Sequence, residues 1–87
     1  METPGITIMK TMKSLGISKS KGDFRPTQGY EASRLGGSTS KSGTYEIGFY
    51  NYNEQDKIKN AQNVANKLRQ KGLNARMFGR GVVYVDY

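Results

Sequence analysis

Between residues 44 and 87 the spacing of apolar residues switches from 2 to 3.6 and back to 2, and few folds accommodate that order. TYEIGFYNY alternates, with Tyr45, Ile47 and Phe49 on one side and Glu46, Gly48, Tyr50 and Tyr52 on the other. That is the pattern of a half-buried strand. NEQDKIKNAQNVANKLRQKG then carries Ile58, Ala61, Val64, Ala65 and Leu68 as one helical stripe. Asn53 is placed to cap the helix, with Asp56 three residues on, and Gly72 to stop it. LNARMF and VVYVDY, joined by Gly79-Arg80-Gly81, read as a β-hairpin.

These signals predict an α+β fold: a small two-layer sandwich built on a β-α-β-β, partial ferredoxin-like sheet with one long helix. The strands on either side of the helix are expected to run parallel, with the hairpin adding an antiparallel third. That third strand is then an exposed edge at the C-terminus, through which a homodimer is conceivable.

Ahead of this unit, the sequence divides into two further pieces. Residues 1–17 predict a short amphipathic helix or docking segment. Thr3 is placed as its cap, Pro4 at its first position and Gly16 at its end, with Ile8, Met12 and Leu15 as the apolar stripe. The β-branched Ile6, Thr7, Ile8 and Thr11 leave a strand over 6–9 as the rival. Residues 18–43 are rich in Ser and Gly and hold no period, so they read as a flexible basic arm or linker. The 44–87 unit is the only segment patterned as a domain in its own right.

A chain of 87 residues allows one domain. It contains no cysteine and no histidine, which removes disulfides, the usual zinc ligands and the usual general base. Its seven carboxylates are scattered, and Glu54 and Asp56 read as the acidic start of a helix. No catalytic residue, metal site or cofactor is therefore expected, and the chain does not read as an enzyme. No apolar run approaches the ~20 residues of a membrane helix, and the N-terminus lacks a signal-type apolar core. The expectation is a cytoplasmic protein without a membrane partner.

The net charge of +7 favours an anionic partner. The face of the sheet turned away from the long helix is expected to carry Tyr50, Tyr52, Phe78, Tyr84 and Arg76, too aromatic a set for a face that only meets water. Three readings compete. The N-terminal segment folds across and buries the face; or bases stack on it; or a protein docks on the same aromatics.

Residues 80–87, RGVVYVDY, resemble the octamer of the RNA-recognition motif at Arg80, Gly81, Tyr84, Val85 and Tyr87. Val82 stands where that motif carries a stacking aromatic, and Val83 where it carries a small residue. Y-x-I-x-F, a helix, L-x-x-K-G-L and a hairpin are similar to half of a peptidoglycan-binding SPOR-type repeat. Neither likeness amounts to membership of the family.

The leading expectation is single-stranded nucleic-acid binding, RNA or DNA. Tyr50, Phe78 and Tyr84 would stack, while Arg76, Arg80, Lys19, Lys21 and Arg25 would hold phosphates, with steep salt dependence. The alternative is an accessory or regulatory protein, of the kind a virus encodes, that docks on a larger, acidic protein assembly through Ile8, Met12 and Leu15 together with the sheet face.

Overall fold

The computed structural model describes residues 3–21, 27–35 and 43–87. Six elements follow one another: α1 (Pro4–Ser14), β1 (Gly29–Leu35), β2 (Thr44–Tyr50), α2 (Glu54–Gln70), β3 (Asn74–Phe78) and β4 (Val82–Asp86). The strands form one sheet in the order β1-β2-β4-β3, with every neighbour antiparallel. The α+β two-layer class read from the sequence is the observed one. The element order is that of β-α-β-β-α-β with its last helix and strand moved to the front.

Both helices start and stop by the same chemistry. Thr3 Oγ1 accepts from the Ile6 N–H at 3.3 Å, and Asn53 Oδ1 accepts from the Asp56 N–H at 2.8 Å. At the far ends, the Ile17 N–H donates to the Met12 carbonyl at 2.9 Å and the Leu73 N–H to the Leu68 carbonyl at 3.0 Å. Between those pairs sit Gly16 and Gly72 at φ +74° and +89°, the left-handed residue such a helix end requires. The helical reading of residues 4–14 thus prevails over a strand, because a cap, a Pro at the first turn and a left-handed stop outweigh the β-branched residues.

The core lies between the sheet and the two helices. Ile47, Phe49, Ala75, Val83 and Val85 supply it from the sheet, and Ala61, Val64, Ala65 and Leu68 from α2. Ile8, Met12 and Ile17 add the N-terminal share. α1 packs beside α2 on this same side, as a second helix completing the two-layer sandwich. Thr11 is buried with them, and its hydroxyl donates to the Thr7 carbonyl at 2.8 Å, so no polar group is orphaned there.

The structure corrects four expectations. Residues 29–35, read as part of the arm, form β1. Only Tyr30 and Ala32 face the core from that strand, so it gives almost no alternating signal. Second, the sheet is antiparallel throughout and not mixed. β2 and β3 do run parallel to each other, but β4 lies between them. Third, β4 is therefore central and offers no free edge for a dimer; the edges are β1 and β3. Val83 and Val85, both fully buried, explain its place at the centre. Fourth, Tyr52 is not on the open face. β2 ends at Tyr50, Asn51 turns the chain at φ +61°, and the Tyr52 ring meets Phe49 edge-on at 6.3 Å.

Candidate functional site: the open face of the sheet

Antiparallel pairing places directly opposite residues on the same face. The register puts Ser33, Glu46, Tyr84 and Arg76 in one row across all four strands of the open face. Leu35, Thr44, Asp86 and Asn74 form the next row. Toward the hairpin end lie Tyr50, Val82 and Phe78. Among the described residues neither helix covers this face, since α1 and α2 both pack on the other one.

The aromatic half is held in a fixed arrangement. The rings of Phe78 and Tyr84 meet edge-to-face, with centroids 5.3 Å apart at 66°. The Arg76 guanidinium lies over the Tyr84 ring at 5.2 Å, a cation–π contact. Phe78 stays 58% exposed and Tyr50 40%, large for aromatic residues of a folded domain. Tyr84, in contact with Phe78, is half-buried.

The polar half is a chain of paired groups. Arg76 Nε reaches Asp86 Oδ2 at 3.3 Å, and the Thr44 hydroxyl donates to Asp86 Oδ1 at 2.7 Å. The Thr44 hydrogen bond first, and Arg76 after it, hold the Asp86 carboxyl below its ordinary pKa. The Tyr84 hydroxyl donates to Glu46 Oε2 at 3.4 Å. The open face of the strands carries a single cation, Arg76, and three carboxylates, Glu31, Glu46 and Asp86. The positive charge of the chain sits elsewhere. α1 and α2 together carry Lys10, Lys13, Lys57, Lys59, Lys67 and Arg69 against Glu54 and Asp56.

The predicted site residues therefore divide. Tyr50, Phe78, Tyr84 and Arg76 share the open face. Arg80, at the hairpin tip, is turned to Glu54 at 2.7 Å, in a pair exposed enough to exchange readily with a ligand. Lys19 and Lys21 lie beyond the outer edge of β1, and Lys19 belongs to the helical side, where it lines a groove with Met9 and Tyr30. Arg25 lies outside the described residues.

The stripe expected to dock on a protein is largely spent in the fold. Ile8 and Met12 are 1% and 0% exposed, packed in the core, and only Leu15 reaches solvent. The apolar side chains that α1 does present are Ile6 and Met9, at 41% and 54% exposure. Those two were missed because the helix is apolar on more than one face, and spacing alone selects the Ile8–Met12–Leu15 set equally well. The expectation that the N-terminal segment buries the open face is overturned for α1 on the same ground.

Among the described residues no group of His, Cys, Asp and Glu is placed to hold a metal ion, and no helix is long and apolar enough to cross a membrane. No protein-family model, curated protein or solved structure matches the chain.

Proposed function

We propose that the chain is a non-enzymatic binding module that takes single-stranded nucleic acid on the aromatic half of its open sheet face. The observation that carries this reading is the Phe78–Tyr84–Arg76 group, two rings and a guanidinium locked together on a face that neither helix covers. Phe78, Tyr84 and Tyr50 stand on three consecutive strands of the sheet, β3, β4 and β2, so a strand of bases crossing the sheet meets each in turn. Stacking on an exposed ring tolerates any base and contributes ~1–3 kcal/mol per base.

The charge distribution refines the expected salt behaviour. Arg76 and Arg80 are the cations near the aromatic half, and each is paired with a carboxylate, Asp86 and Glu54. With two phosphates neutralised, log K falls by only about 1.4 per tenfold rise in salt, a shallow slope and not the steep one expected from the whole-chain charge. Affinity then rests mainly on stacking.

A second reading has its own support. Glu31, Glu46 and Asp86 beside exposed aromatics suit a protein partner with a basic surface. The two are separated by an amide-shift titration with a short mixed-sequence RNA, repeated with Phe78→Ala and Glu46→Lys. Nucleic-acid binding requires saturable shifts at Tyr50, Arg76, Phe78 and Tyr84. It also requires about tenfold weaker binding for Phe78→Ala and tighter binding for Glu46→Lys. Unchanged affinity in the Phe78 variant defeats the stacking model and leaves the protein partner.

A further inference from the structure

On the opposite side of the molecule α1 and the start of β1 enclose a groove of about 390 Å³. Its floor is Ile17 and Tyr30, its wall is Met9, and Lys13 and Lys19 stand at its rim. A shallower depression of about 210 Å³ shares Met9, Lys19 and Tyr30 and carries the trough on to Ala32 and Tyr45. The groove is mostly apolar and lies open to solvent along one side.

Three features define what fits. The first is charge. The Lys13 and Lys19 side chains make no hydrogen bond or ion pair with any described residue, so the rim presents two unopposed cations. The second is the strand edge. The Tyr30 N–H donates to the Ser18 carbonyl at 3.0 Å, and the Ser20 N–H donates to the Tyr30 carbonyl at 2.8 Å. The outer edge of β1 thus already accepts an added strand, and alternation aims the main chain of Ala32 the same way. No described residue pairs with Ala32 on that side. The third is openness. A small ligand is normally enclosed over 70–90% of its surface, which an open trough does not provide. An extended chain lying along a strand edge needs no such enclosure.

We propose that this groove docks an extended acidic segment of a partner protein. An apolar side chain of that segment seats over Ile17 and Tyr30 against Met9, its carboxylates meet Lys13 and Lys19, and its main chain continues the β1 edge at Ala32. Met9 suits the wall, because an unbranched thioether adapts to anchors of different shape. The groove lies on the face opposite Phe78 and Tyr84, so this inference stands independently of the sheet-face reading.

The test is a random octapeptide display library panned on the full chain, with Met9→Asp and Lys19→Glu as counter-targets. Both positions are exposed, and circular dichroism verifies that the variants fold. The expected result is enrichment of peptides that pair a bulky apolar residue with carboxylates. The strongest of them, synthesised, shifts the amides of Met9, Ile17, Lys19, Tyr30 and Ala32, and each variant weakens it about tenfold or more. Equal enrichment on the variants, selection of basic peptides, or shifts confined to Phe78 and Tyr84 would each overturn the proposal.

Discussion

Arg69 Nε donates to the carbonyl oxygen of Ala75 at 2.7 Å, so a side chain of α2 occupies the outer edge of β3. Its Nη1 is steadied in turn by Asn66 Oδ1 at 3.1 Å. An edge strand with free carbonyls is a template for pairing with another chain, and a charged group placed on it blocks that. Replacing Arg69 with Ala is expected to lower stability by about 1 kcal/mol and to raise self-association. Urea unfolding and sedimentation velocity, run on the same samples, read the two effects separately. A variant that stays as monomeric as the parent would show that the edge needs no guard.

The Asp86 carboxyl, held below its ordinary pKa by the Thr44 hydroxyl and Arg76, ties stability to pH. Its folded-state pKa lies below its unfolded one, so the contribution is present above the unfolded value. It is lost as pH falls through the folded value. A carboxyl-carbon NMR titration should place the Asp86 midpoint below the ordinary aspartate range. Thr44→Val and Arg76→Gln should each move it upward, since both partners hold it down. A midpoint that neither variant moves would show that these two partners do not hold the carboxyl down.

Ile8 and Met12 are core residues, so truncation at either should behave as a cavity mutation. Ile8→Ala or Met12→Ala is expected to cost about 2–5 kcal/mol, a large share of the stability of a small domain. Ile6→Ala, on the exposed flank of the same helix, should cost only a few tenths. Denaturant midpoints decide this. Equal, small effects at all three positions would mean that α1 is not docked.

Gly72 closes α2 at φ +89°, with no side chain near the position a Cβ would take. Strain alone therefore sets the cost of Gly72→Ala, at about 1–2 kcal/mol. Because nothing clashes, the melting temperature should fall with no amide shifts beyond the immediate neighbours of residue 72. Widespread shifts would point to a packing role instead.

The parts of the fold that announce themselves in sequence are those where one face is apolar and the other is not. Ile47, Phe49, Ala75, Val83 and Val85 all lie where alternation puts them, and Ala61, Val64, Ala65 and Leu68 where helical spacing does. β1 escaped because an edge strand whose core side offers only Tyr30 and Ala32 as apolar residues, followed by Arg34, carries no period and reads as linker. Strand order escaped for another reason. Alternation shows which way a side chain points but not which strand lies beside which, and only the full burial of Val83 and Val85 marks β4 as central. At the candidate site, Tyr50, Arg76, Phe78 and Tyr84 were legible from the pleat alone. Glu46 and Asp86 follow from the same pleat, but that Glu31 shares their face depends on β1, which only the structure supplies.

The central place of β4 has a consequence for synthesis on the ribosome. Thr44 pairs with Asp86, so the contact that joins the two halves of the sheet closes a separation of 42 residues. While β4 is still being made, β1 and β2 can pair only as a hairpin, and β3 has no strand to pair with. Until β4 emerges, the helices alone hold these two parts of the sheet together. Residues 82–86 then close the sheet from the middle, in a single late event.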